Sequence, residues 1–234
     1  MLRLYLPAMH AGASRIRIAG AEFRHLRSLR LAAGSRLRVL DADGLEHDVL
    51  LERVGAREAT GLVVATVAPA RESPLALVLA PALLKGTRMD LVVEKATELG
   101  VRRLAPVLTR HAVSRTGHVE RWRRIAVAAA KQSGRTRVPD VDDPVPLAEL
   151  LAAPWPGLRL VPWEGDVEDR VSALPDRAAG VVAVVGPEGG LAEDEMALAR
   201  AHGFVPLTLG PRRLRAETAA IVISALCQSR WGDG

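Results

Sequence analysis

The sequence predicts an α/β protein in two parts, a small all-β module over residues 1–70 and a parallel-sheet α/β domain over 71–234. Three observations predict it. The first seventy residues carry short runs of alternating polar and apolar character around tight-turn signals, as small barrels and sandwiches do. From residue 75 onward, apolar runs alternate with segments of helical spacing, the pattern of a parallel sheet covered on both faces. Between the two, Pro69-Ala70-Arg71-Glu72-Ser73-Pro74 is polar and bounded by proline, a linker composition.

In order along the chain, Arg3 to Leu6 and Arg15 to Ile18 alternate as half-buried strands do. A short helix fits Ala21 to Leu31. Strand-like runs at Arg36 to Leu40 and Glu46 to Leu51 flank Asp43-Gly44, a strong hairpin signal. Gly61 to Val67 supplies a further strand. In the second part, Leu75 to Leu79 reads as a strand buried on both faces. Arg88 to Leu99 has helical spacing through Met89, Val92, Val93, Ala96 and Leu99, with Gly100 as its stop. One strand is expected at Leu104 to Leu108, then a helix from about Val119 to Ser133. Leu158 to Trp163, Val181 to Val185 and Val205 to Leu209 complete the strands. Helices fit Ala192 to His202, acidic in its first turn, and Ala216 to Arg230.

At 234 residues and 49% apolar composition the chain can bury a core. No run approaches the roughly 20 apolar residues of a membrane span, and the N-terminus lacks the pattern of a signal peptide. The single cysteine, Cys227, lies in an apolar helical pattern and reads as a core thiol. A soluble, cytoplasmic protein without a membrane role is expected. The net charge of +5 favours a polyanionic partner. Only three of the 32 basic residues are lysine, and arginine suits phosphate and base-edge contacts better. Phosphate-gripping and dinucleotide loops, a nucleophile elbow and zinc-ligand spacings are all missing, so no metal is expected.

The most informative residues are two turns placed where strands should end. Gly186-Pro187-Glu188-Gly189-Gly190 follows one strand, and Leu209-Gly210-Pro211-Arg212-Arg213-Leu214-Arg215-Ala216-Glu217-Thr218-Ala219 follows another. Glycines without Cβ atoms let a flat ligand lie against backbone amides and carbonyls. The first turn alone suits a structural corner equally well. The second sets five polar or ionisable groups at the edge where open α/β sheets bind ligands. Side by side, the two would form one pocket for a neutral planar group and an anionic substrate.

These turns resemble those of the trefoil-knot, or SPOUT-class, methyltransferases that methylate uridine in small-subunit ribosomal RNA, the RsmE family. The resemblance runs along nearly the whole chain. It includes Arg3-Leu4-Tyr5, His25-Leu26-Arg27-Ser28-Leu29-Arg30, Lys85-Gly86-Thr87-Arg88-Met89-Asp90 and Glu94-Lys95-Ala96-Thr97-Glu98-Leu99-Gly100-Val101. Arg121-Trp122, Gln132-Ser133-Gly134-Arg135 and Val138-Pro139 match as well. Ser28 departs from it, standing where the family commonly has an apolar residue.

The resemblance implies a PUA-like RNA-binding barrel over 1–70 and a SPOUT domain over 71–234 that ends in a trefoil knot, binds S-adenosylmethionine and pairs as a homodimer. It implies methylation of a uridine imide nitrogen in small-subunit ribosomal RNA, free or in the assembled small ribosomal subunit. By the same resemblance Leu84, Gly186, Pro187, Glu188, Gly189, Gly190, Leu209, Gly210, Leu214, Thr218 and Ala219 line the cofactor pocket. Arg3, Arg15, Arg27, Arg30 and Arg88 contact RNA. Arg215 is the choice for favouring the deprotonated base, with Glu217 and Glu188 as candidate proton acceptors. Two readings stand for each carboxylate: proton acceptor, or, for Glu217, cap of the last helix and, for Glu188, partner of a nearby amide. Two other classes compete, a non-catalytic RNA-binding factor and an oxidoreductase using the glycine turn for a nucleotide.

Overall fold

A computed structural model describes residues 1–10, 12–68, 72–113, 116–164 and 170–234. The linker residues Pro69, Ala70 and Arg71 lie outside the described residues. The chain forms two compact units, Met1–Glu72 with Ala130–Val138, and Ser73–Ala129 with Pro139–Gly234.

The first unit is a five-stranded sheet in the order β1-β3-β4-β5-β2, from β1 (Arg3–Tyr5), β2 (Arg15–Ile18), β3 (Arg36–Leu40), β4 (Glu46–Val54) and β5 (Ala59–Val67). The β1–β3 pair is parallel and the others antiparallel. Among the described residues β1 and β2 are the two edges of this sheet and share no ladder. Both edges nonetheless feed one core, with Leu4 from β1 and Ile16 and Ile18 from β2 packed with Phe23 and Leu26 of helix α1 (Gly20–Ser28). The β4–β5 ladder shifts register after Asp48 and after Leu51, irregularities of the kind that bend a strand. The Asp43-Gly44 turn joins β3 to β4, with Gly44 at φ +84°. Ser28 is exposed and its hydroxyl donates to the His25 carbonyl at 2.7 Å, so the departure from the family costs no packing.

Residues 130–138 return to this unit. Glu72 accepts hydrogen bonds from the Arg135 guanidinium at 2.6 Å and from the Thr136 and Arg137 amides at 2.9 and 3.0 Å. A residue of the expected linker is therefore an anchor. Lys131 likewise donates to Glu22 at 2.9 Å and to His25 Nδ1 at 3.3 Å, which gives His25 a structural place.

The second unit is built on six parallel strands in the order β13-β11-β12-β6-β7-β9. These are β6 (Ala76–Pro81), β7 (Arg103–Leu104), β9 (Asp140–Val141), β11 (Leu158–Pro162), β12 (Gly180–Val185) and β13 (Val205–Leu207). The single strand expected at Leu104 to Leu108 is two. Pro106 interrupts it, and β8 (Val107–Leu108) leaves to pair with β10 (Val145–Pro146). One face of the sheet carries α4 (Leu147–Ala152) and α5 (Glu193–Ala201), packed through Leu147, Leu150, Leu151, Met196 and Ala199 on Ala80, Val182 and Val184. On the sheet lies α6 (Ala216–Trp231), against β6, β12 and α2 (Thr87–Glu98). Arg121 of α3 (Val119–Ser133) holds Asp90 of α2 at 2.7 Å. Cys227 is fully buried in α6, and burial pushes its thiol up to about 12.

Candidate functional site

The carboxyl ends of β11, β12 and β13 open into a cleft of about 890 Å³. Its walls are Val185–Leu191, Thr208–Ala216 with Ala219, and Pro162–Glu164. The two sequence-marked turns do meet, but not on neighbouring strands. β11 runs between β12 and β13, so its end residues Trp163 and Glu164 stand between the turns. Neither was legible as a site residue, because strand order is invisible to periodicity.

The first turn is closed by the Gly190 amide, which donates to the Pro187 carbonyl at 2.9 Å. Gly190 has φ +72°, a conformation that favours glycine. In the second turn Gly210 has φ +120°, and its amide donates to Thr208 Oγ1 at 3.2 Å. A Cβ at Gly190 or Gly210 would meet nothing within 4 Å, so at both points bare backbone borders open space. Gly189 is different: a Cβ there would lie 3.1 Å from the Cβ of His111, so its small size serves packing behind the turn.

Of the residues expected around a cofactor, Gly186, Pro187, Glu188, Gly189, Gly190, Leu209, Gly210, Leu214 and Ala219 line the cleft. Leu84 is buried beyond the end of β6 and Thr218 is exposed on α6; neither lines it. Arg212, Arg213 and Arg215 add positive charge to the walls, and Arg213 pairs with Glu164 at 2.8 Å.

A charge cluster joins this site from helix α2. The Arg88 guanidinium pairs with Glu188 and stands 4.0 Å from Glu217. Glu217 is only 8% exposed, and one oxygen of each carboxylate, Oε2, is buried with no hydrogen-bond partner among the described residues. The N-cap position of α6 is Arg215, which makes no side-chain capping bond among the described residues, and Glu188 accepts from Arg88. Buried acceptors left open in this way are costly in a folded protein and suit a ligand that brings donors. Glu94 of α2 meets the neighbouring Lys95 at 2.8 Å.

The remaining arginines expected to touch RNA lie in the first unit. Arg3 is held by the buried Glu46, and Arg15 is paired with Glu52 at 3.2 Å. Arg27 donates to the Ala56 carbonyl at 3.3 Å, and Arg30, at φ +55°, meets no carboxylate among the described residues.

An open parallel sheet with a glycine-walled, charge-lined cleft at its carboxyl edge defines an α/β protein that binds a nucleotide-sized ligand there. Comparison with known proteins narrows the class. Residues 71–228 match the model of the RNA methyltransferase domain. Ribosomal RNA small subunit methyltransferase E of Synechocystis is 35% identical over 92% of this chain and 74% of its own length. The Bacillus subtilis protein of the same name is 31% identical over 87% and 86%. A crystal structure of that enzyme from Neisseria gonorrhoeae, bound to S-adenosyl methionine, superposes with a TM-score of 0.94 at 31% identity, covering 100% of this chain and 99% of that one. A putative methyltransferase from Legionella pneumophila, in complex with the same cofactor, gives 0.93 at 30% identity over 100% and 99%. The chain belongs to the ribosomal RNA small subunit methyltransferase E family.

Proposed function

We propose that this protein binds S-adenosylmethionine in the β11–β12–β13 cleft and methylates the N3 imide nitrogen of a uridine in small-subunit ribosomal RNA, on the assembled subunit. The carrying observation is the meeting of two backbone-lined turns in one cleft, with Glu188 in its wall and Glu217 held beside it through Arg88, each keeping a buried oxygen that meets no partner among the described residues. The cofactor bound in the gonococcal and Legionella relatives supports the choice of ligand. The cleft fits it: bare backbone at Gly190 and Gly210 admits a flat ring, and the volume is that of an ordinary ligand site.

When bound, S-adenosylmethionine supplies an activated methyl group, so the chain's own task is orientation and charge. The glycine turns and Leu214 hold the adenosyl part. Arg215, cationic and exposed at the start of α6, favours the deprotonated imide of the target base. Glu217 takes the imide proton on its bare Oε2, with Arg88 beside it to steady the ionised form. Glu188 fixes Arg88 in that place. Residues 1–70 act as a PUA-like RNA-binding barrel and 71–234 as the methyltransferase domain, its C-terminal segment forming a knot.

A second copy is the proposed partner of α6. Its outward residues Ile221, Val222 and Ala225 are only half-buried and Leu226 is 38% exposed, on a helix apolar on nearly every side. Light scattering should return twice the mass of the chain. No helix among the described residues is long and apolar enough to cross a membrane, and a ribosomal substrate places the work in the cytoplasm.

The test is incubation with methyl-labelled S-adenosylmethionine and unmodified small subunits, beside protein-free small-subunit RNA, followed by nucleoside analysis. Label in a uridine methylated at N3, in subunits above free RNA, is expected. Cofactor binding without label in either substrate would leave a non-catalytic RNA-binding factor as the reading.

A further inference from the structure

Behind the glycine-rich turn of the second unit runs a tight turn that begins where β8 ends. The Ala112 amide closes it on the Thr109 carbonyl at 3.3 Å. One carboxylate ties this turn to the start of α5: Glu195 accepts from the Arg110 amide on Oε1 and from the Ala192 amide on Oε2, both at 2.8 Å. Arg110 also pairs with Asp194, which holds that carboxyl below its ordinary range. The turn is thus firmly placed, and it presents His111. His111 Nδ1 lies 3.2 Å from the Gly190 carbonyl oxygen. A carbonyl only accepts, so Nδ1 carries the hydrogen.

The consequence lies on the other side of the same peptide. In a trans peptide the C=O and the following N–H point in opposite directions, and no peptide bond among the described residues is cis. Drawing the Gly190 carbonyl toward His111 therefore turns the Leu191 N–H away from it. On that side lies Gly186, where a Cβ would stand 3.2 Å from the Leu191 nitrogen. Gly186, Gly190 and Leu191 all line the cleft, and the Leu191 N–H meets no acceptor among the described residues.

We infer that His111 is a positioning residue: its hydrogen bond sets the Gly190–Leu191 peptide so that the Leu191 N–H is offered to an acceptor atom of the adenosyl ligand. Gly186 keeps that donor uncovered. The inference rests on the proposed use of the cleft, and its test separates the two.

Affinities for S-adenosylmethionine and S-adenosylhomocysteine are measured by calorimetry, and the Leu191 amide resonance is recorded by NMR in the ligand-free protein. His111→Ala should move that resonance and weaken both ligands about tenfold, the loss expected of one hydrogen bond. His111→Asn, with an amide N–H close to the place of Nδ1, should restore both ligands to within about threefold, whereas His111→Leu should not. Gly186→Ala, with His111 intact, should lose binding because its methyl covers the donor. An unmoved Leu191 resonance in His111→Ala, or equal losses in the Ala and Asn variants, overturns the inference. Failure of the wild-type protein to bind either ligand would overturn the methyltransferase reading instead, and the Leu191 resonance would still decide the place of His111.

Discussion

Both units bury carboxylates, and they treat them in opposite ways. In the first unit Asp41 is sealed: Oδ1 accepts from the Asp43 and Leu45 amides at 2.9 Å, and Oδ2 meets His47 Nε2 at 2.9 Å. Glu72 is sealed by Arg135, Thr136 and Arg137. In the second unit Glu188 and Glu217 share Arg88, yet each keeps a buried oxygen with no partner among the described residues. Burial of charge therefore does not mark a site. What sets the Arg88 pair apart is an unfinished network that reaches a glycine-lined cleft wall through Glu188, where a ligand can complete it.

The sharpest way to break this contrast is to neutralise one member of each kind. Glu217→Gln keeps the shape and removes the base. Turnover should fall about a thousandfold while the melting temperature stays put, as for loss of a general base. Retained turnover would return Glu217 to a structural part. Glu72→Ala should do the reverse, sparing the cleft but destabilising the protein by about 3 kcal/mol in denaturant titration, since it removes the carboxylate that Arg135, Thr136 and Arg137 share.

Glu72 also gives a pH signature. Burial alone would raise its pKa, but the Arg135 guanidinium and the Arg137 and Thr136 amides outweigh it and hold the carboxyl below its ordinary 4.5. The unfolded chain binds the proton more readily, so the stabilisation is complete above pH 4.5 and fades as pH falls through the lower folded value. Between wild type and Glu72→Gln, the gap in melting temperature should therefore close on acidification below that point. A gap independent of pH would mean that Glu72 works by shape alone.

Next in size is Arg215→Ala. With charge provided at the reacting base, its loss should cut turnover about a hundredfold and leave cofactor affinity nearly intact. Equal losses in both would make it a binding residue, and would shift the polar contribution of the second turn toward Arg212 and Arg213.

The same contrast explains what the sequence could tell. Local rules carried the Asp43-Gly44 hairpin, the helices α2, α3, α5 and α6 and both ligand turns, because each is decided within a few residues of chain. What failed to show was everything set by partners far away. Arg88 reaches Glu188 across a hundred residues, residues 130–138 return to Glu72, and β11 inserts between β12 and β13, bringing Trp163 and Glu164 to the cleft. His111 left one faint signal: like both turns, Thr109-Arg110-His111 follows the end of a strand. Pro106, between β7 and β8, is a break visible in the sequence itself.

The smallest effect sharpens the comparison within the first unit itself. Arg3 and Arg15 are engaged by Glu46 and Glu52, whereas among the described residues Arg27 meets a carbonyl and no carboxylate, and Arg30 meets no carboxylate. An arginine already paired gives up one partner to gain a phosphate; an unpaired one gains outright. Removing Arg27 and Arg30 together should weaken binding of small-subunit RNA about tenfold and lower the salt slope by about one for each phosphate no longer neutralised, with Arg15→Ala much milder. Arg30→Gly isolates the cause. The left-handed φ of +55° costs an L-residue about 1 kcal/mol that glycine does not incur. That variant should melt slightly higher while binding RNA more weakly. If it melts higher and binds unchanged, Arg30 is strained for some end other than RNA, and the unpaired arginines lose their claim to the phosphate surface.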